Sequence, residues 1–117
     1  MVFGQLSEKM EISFEEFQKL EMKIGKVLEA KEIAGSKNLI KLQVDFVSEK
    51  RQAVAGLKKY FDAKDLVGKK FVFVLNLKSV KLMGFESNCM ILAADDGKGN
   101  VVLIQPEKDV EIGSRVR

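Results

Sequence analysis

The chain has 117 residues, enough for one domain, and 46% of them are hydrophobic with a mean hydropathy of -0.04, a composition that fits a globular fold with a single core. A net charge of +3 and a pI of about 9.0 make it only mildly basic, so any anionic partner must be recognised through local placement of its lysines. With no histidine and one cysteine, the chain has neither an intrachain disulfide, a cysteine-histidine zinc site nor a histidine-based triad. No apolar run approaches the roughly 20 residues of a membrane span, and the N-terminus lacks a signal-peptide pattern, so a cytoplasmic protein is expected.

Residues 1–12 keep no sustained period and are expected to form an arm or interface strap ahead of a domain over 13–117. Ser13-Phe14-Glu15-Glu16 reads as a capping box, because the Ser13 hydroxyl can accept from the Glu16 amide while the Glu16 carboxylate reaches back. A short helix should follow. Its Phe14, Phe17 and Leu20 form one apolar stripe, which either packs onto the strands that come next or serves as a contact with a second copy.

From Met22 the period becomes two. Met22 to Leu28 predicts a first strand with a bend or bulge at Gly25, and Leu39 to Phe46 a half-buried second strand alternating Lys41, Gln43 and Asp45 with Ile40, Leu42 and Val44. Ala34 to Asn38 between them is a turn-rich loop carrying Lys37. A third strand is expected over Arg51 to Ala55. Within Gly56 to Val67 a short helix is expected, with Asp62 as its N-cap and Gly68 closing it. Phe71 to Leu75 is a continuous apolar run, which predicts a strand buried on both faces. Asn76 to Cys89 reads as a loop, Met90 to Ala94 as a strand, Asp95 to Asn100 as a turn and Val101 to Ile104 as a last strand. Cys89, directly before an apolar run, reads as a small buried filler.

Three strands, a short helix and two more strands is the element order of an OB-fold, so the expected class is all-β. The expected architecture is a five-stranded Greek-key barrel with a short N-terminal helix, a short inter-strand helix and an extra C-terminal strand. Such barrels bind ligands on strands two and three and on the loops joining strands one to two and four to five. Lys37 falls in the first of those loops, and Lys78 and Lys81 in the second. Lysines neutralise phosphates, short polar groups such as Asn76 and Ser87 contact backbone or base edges, and thioethers such as Met83 and Met90 lie against sugars or bases; RNA is the implied partner. Lys58, Lys59, Lys69 and Lys70 read mainly as a solvated face. The carboxylates are scattered among lysines, so no catalytic pair, cofactor or metal is expected.

The residues that carry this reading also resemble a known family. I-S-F-E-E-F-Q-K-L-E-M-K-I-G-K-V from Ile12, G-S-K-N-L-I-K-L-Q-V-D from Gly35, R-Q-A-V-A-G-L from Arg51, D-L-V-G-K-K from Asp65 and the Asn76 loop resemble the tRNA-binding domain family. That family occurs as a free-standing homodimeric tRNA-binding protein, as an appendage of methionyl-tRNA synthetase, and in endothelial monocyte-activating polypeptide II. The resemblance covers Ile12 to Val116. It implies a non-catalytic OB module that recognises the outer corner of tRNA by shape, acting in trans or as a separate beta subunit for methionyl-tRNA synthetase. Carried over, the tRNA-contacting segment includes Asn76, Lys78, Lys81, Ser87 and Met90, beside Lys37 from the loop reading. A homodimer is implied, with Phe14, Phe17, Val101 and Leu103 as its expected contacts. The alternative is a homodimeric protein-secretion chaperone of the same fold that binds unfolded polypeptide.

Overall fold

The structure, a computed structural model, describes residues 10–117, so most of the arm expected over 1–12 lies outside the described residues. The capping box forms as the sequence predicts: the Glu16 N–H donates to Ser13 Oγ at 3.1 Å and the Ser13 N–H to the Glu16 carboxylate at 3.4 Å. It starts a helix of little more than one turn, α1 (Phe14–Gln18). None of its residues is buried, and Phe14 stays 69% exposed. The apolar stripe is therefore only partly covered within the chain: Phe17 is half-buried, while Phe14 and Leu20 stay exposed.

A long strand, β1 (Met22–Glu32), organises the barrel by serving several partners along its length. Its first half pairs antiparallel with β4 (Lys70–Val74), its second half with β2 (Ile40–Asp45), and its first two residues also pair with β10 (Arg115–Val116). The register shifts between Val27 and Glu29, which puts the bulge at Leu28. Gly25, where the sequence suggested it, sits instead in regular pairing opposite Phe71. Its missing Cβ serves close packing: a Cβ there would come within 2.6 Å of the Phe46 ring and of Val44 Cγ1. Strand β2 pairs with β3 (Lys50–Ala55), and β4 with β7 (Met90–Ile91), giving the order β3-β2-β1-β4-β7. The barrel nearly closes where the Asn88 N–H donates to the Gln52 carbonyl at 2.9 Å.

Strict alternation in β2 sends Ile40, Leu42 and Val44 inward, where they meet Val27, Phe46, Phe73, Leu75 and Ile91. Phe46 and Phe73 pack edge to face with ring centres 5.4 Å apart. Phe71 to Leu75 is buried throughout, as a continuous apolar run requires. The expected inter-strand helix shrinks to one 3-10 turn, Ala63–Leu66. Asp62 precedes it in extended conformation without a side-chain cap bond, and buried Leu66 joins the barrel core.

The expected strand over Met90 to Ala94 breaks at Leu92, because the chain changes partners there. Strand β7 pairs with β4, whereas β8 (Ala93–Asp95) pairs with β9 (Val101–Leu103) across the predicted turn. Leu92 is the pivot: its N–H donates to Val72 and its carbonyl accepts from Ile104. The segment read as a loop, Asn76 to Cys89, contains a hairpin of β5 (Val80–Leu82) and β6 (Phe85–Ser87). Among the described residues no helix is long and apolar enough to cross a membrane.

Candidate nucleic-acid interface

The hairpin β5–β6 turns through Met83 and Gly84, both at positive φ (53° and 83°), the two-residue turn whose twist matches antiparallel strands. Val80, Leu82, Phe85 and Ser87 share its inner face, while Lys81 stands outward directly opposite Glu86. Phe85 leans over β2 with the Lys41 ammonium 4.4 Å from its ring centre, a cation–π contact that seats the hairpin on the barrel. At the tip, the Met83 methyl reaches within 3.8 Å of the place a Cβ on Gly35 would occupy. The hairpin thereby meets the loop between β1 and β2, and Lys37 is brought into the same region as Lys81.

That β1–β2 loop is held by its own bonds. Ser36 Oγ accepts from the amides of Asn38 and Leu39, and Lys58 Nζ donates to the Ser36 carbonyl at 3.1 Å and pairs with Glu32 at 3.2 Å. Lys58, read from sequence as solvated, is therefore a loop fastener. Lys70, from the same group, pairs with Asp109 at 2.7 Å, which holds that carboxyl below its usual range. Lys37, Lys78 and Lys81 are exposed, and among the described residues none takes part in an ion pair.

The other expected contacts occupy different places. Both halves of the Asn76 side chain are engaged: Oδ1 accepts from the Glu21 amide at 2.8 Å, and Nδ2 donates to the Lys19 carbonyl at the end of α1. Ser87, 8% exposed, accepts from the Val54 amide at 3.0 Å and donates to the Cys89 carbonyl at 3.2 Å, fastening the hairpin to β3. Met90 is exposed and lines a concavity of about 270 Å³ beneath the hairpin with Leu77, Lys78 and Val80. Cys89 on its floor is buried, which pushes its thiol up to about 12 and leaves it an inert filler.

Lys41, Gln43 and Gln52 were not singled out from the sequence, although the alternation of β2 puts the first two on the outer face. Gln43 Nε2 donates to Gln52 Oε1, and Gln52 Nε2 to the Glu86 carbonyl, both at 2.7 Å, so a polar relay crosses β2, β3 and β6. The hairpin itself had a readable signal, a V-K-L/F-E-S alternation around a two-residue turn ending in glycine.

The residues expected at a dimer contact divide between two places. Phe14 and Phe17 line a groove of about 290 Å³ with Leu20, Met22 and Val116, rimmed by arginines 115 and 117. Leu103 packs against the barrel core, Val101 is half-buried, and between them Val102 is 57% exposed. No cluster of three potential metal ligands occurs among the described residues.

The chain is similar to several known proteins. A family model described as "Putative tRNA binding domain" matches residues 22–115. The chain is 48% identical over 114 residues to a methionine–tRNA ligase of Methanocaldococcus jannaschii, an alignment that takes in 97% of this chain but only 17% of the ligase. A solved MetRS related protein from Pyrococcus horikoshii superposes with a TM-score of 0.87 at 43% identity, covering 92% of this chain and 100% of that one. The chaperone CsaA from Bacillus anthracis superposes with a TM-score of 0.82 at 30% identity, covering 92% and 99%. The barrel, the lysine hairpin raised on it and these matches lead to one assignment: the chain belongs to the tRNA-binding domain family.

Proposed function

We propose that this chain binds tRNA by its shape and without catalysis, serving a methionyl-tRNA synthetase in trans or as a separate beta subunit in the cytoplasm. What supports the proposal is that Lys37, Lys78 and Lys81, all exposed, lie in two segments that approach each other where Met83 nears Gly35. Three exposed cations, one on the hairpin, one at its foot and one on the β1–β2 loop, suit phosphates that follow a bent path, and such contacts position a ligand while reading little sequence. The family match and the synthetase relative support the same ligand. A homodimer through the α1 groove would offer two hairpins to one tRNA and raise effective concentration without new contact types.

Competition at about physiological salt tests this reading. Folded tRNA should outcompete both a linear RNA of equal length and a duplex of equal charge, anticodon changes should matter little, and disruption of the tRNA corner should matter much. Equal competition by all three refutes shape recognition and leaves a general polyanion binder.

One observation favours a second reading. The concavity beneath the hairpin is walled by Leu77, Val80 and Met90, all exposed apolar side chains, and a chaperone shares the fold. Polypeptide binding there predicts that an unfolded preprotein displaces tRNA stoichiometrically, an outcome that would transfer the assignment to the chaperone branch.

A further inference from the structure

Arg51 opens the R-Q-A-V-A-G-L segment, and the RNA reading above leaves it without a role. On β3 it pairs with Val44 and shares a face with Ala53, which directs its side chain to the core side of the barrel. A guanidinium cannot be left unpaired there, so it extends to the barrel rim, where its side chain is 28% exposed. Its Nε donates to the Glu49 carboxylate, which sets the orientation of the planar group. Its Nη1 donates to two carbonyls at once, those of Leu75 and, at 2.9 Å, of Asn88.

Those two carbonyls have a particular position in the chain. Leu75 is the last residue before the segment that carries Lys78 and the β5–β6 hairpin, and Asn88 follows the final residue of β6. One nitrogen therefore ties together the two feet of the lysine-bearing segment. The other anchors act on one side each: Asn76 holds one foot to the end of α1, while Ser87 and the Gln52–Glu86 bond hold the other to β3. Among these side-chain contacts Arg51 alone joins foot to foot, extending the Val74–Met90 pair of the β4–β7 ladder toward the hairpin.

We propose that Arg51 is a positioning residue for ligand binding: by fixing the spacing of residues 75 and 88 it holds Lys78 and Lys81 in register with Lys37 before RNA arrives. The inference rests on the RNA reading of the hairpin. Its physical content is preorganisation, since a hairpin with loose feet must lose conformational freedom at the moment of binding, and that cost subtracts from affinity. The fork geometry matters more than the charge. A lysine supplies one compact ammonium, which cannot serve Glu49 and both carbonyls together in that plane.

Arg51→Lys keeps the charge and removes the fork. In free protein, amide hydrogen exchange across residues 77–87 should accelerate by about ten-fold or more, while amides of β1 and β2 keep their protection. The affinity for tRNA should fall by about ten-fold with the salt slope unchanged, because no phosphate contact is lost. Glu49→Gln, which weakens the grip that orients the guanidinium while leaving the fork present, should shift both readouts in the same direction by less, and it carries the test where Arg51→Lys does not fold. Unchanged hairpin exchange in both variants overturns the clamp. So does a slope that drops by about one with hairpin protection intact, since Arg51 would then be a phosphate contact itself. The exchange measurement needs no ligand, so it judges the clamp even if wild-type protein fails to prefer tRNA, a result that refutes the RNA reading alone.

Discussion

Replacing Lys78 and Lys81 together by alanine should change the salt dependence of tRNA binding by an amount that also counts hairpins. Both side chains are exposed and, among the described residues, unpaired, so the double variant should fold and melt like the parent. Each neutralised phosphate contributes about 0.9 to the slope of log affinity against log salt. Loss of two contacts from one hairpin therefore flattens the slope by about 1.8, and over the range from about 50 to about 200 mM salt the gap between parent and variant narrows by roughly ten-fold. If a homodimer lays two hairpins on one tRNA, four contacts vanish and the slope flattens by about 3.6. Fluorescence anisotropy titrations at four salt concentrations resolve these cases. Lys81 stands opposite Glu86, so its loss also leaves a carboxylate facing the ligand, and Lys81→Ala should weaken binding more than Lys78→Ala at equal slope. A double variant with the parental slope refutes the electrostatic site, and a loss confined to one tRNA refutes shape-directed recognition.

Gly25→Ala places a methyl 2.6 Å from side-chain atoms of Phe46 and Val44 and should destabilise by about 1–3 kcal/mol; a urea midpoint equal to wild type would show that the crossing is not tight. The Cys89 thiol, pushed up to about 12 by burial, should resist a thiol reagent at neutral pH. The unfolded thiol ionises first, near its ordinary value of about 9, so the unfolded state binds fewer protons and stability should fall as pH rises from about 9 to about 12. Cys89→Ala should remove that part of the alkaline loss, and an identical pH dependence in the variant contradicts the burial argument. Phe14→Asp puts a charge in the exposed groove of α1 and Val116, and should turn a particle of twice 13.1 kDa into single chains in sedimentation while weakening tRNA binding; a wild-type chain already monomeric at micromolar concentration with full affinity ends the two-hairpin mechanism.

Several elements were determined by the sequence alone, and each rests on chemistry that acts between near neighbours. The capping box at Ser13 and Glu16 spans four residues, the alternation of β2 needs only the pleat, and the turn at Asp95 to Asn100 closes on its own side-chain bonds. The apolar run from Phe71 marks a strand covered on both sides wherever it packs. Together these elements make the barrel legible, and with it the two loops that carry Lys37, Lys78 and Lys81. What only the tertiary structure decided are the contacts between residues far apart in the chain. Asn76 meets Glu21 across 55 positions and Arg51 meets Asn88 across 37, so a side chain expected at the ligand and one with no expected role both serve as fasteners. The break at Leu92 is set by a change of partner strand, and the need for glycine at position 25 by Val44 on β2 and by Phe46 just past its end. Periodicity reports which face of an element is buried, because burial repeats with the backbone. It carries no information about which distant group comes to rest against that face, since that depends on closing the barrel, and closure is a property of the whole chain.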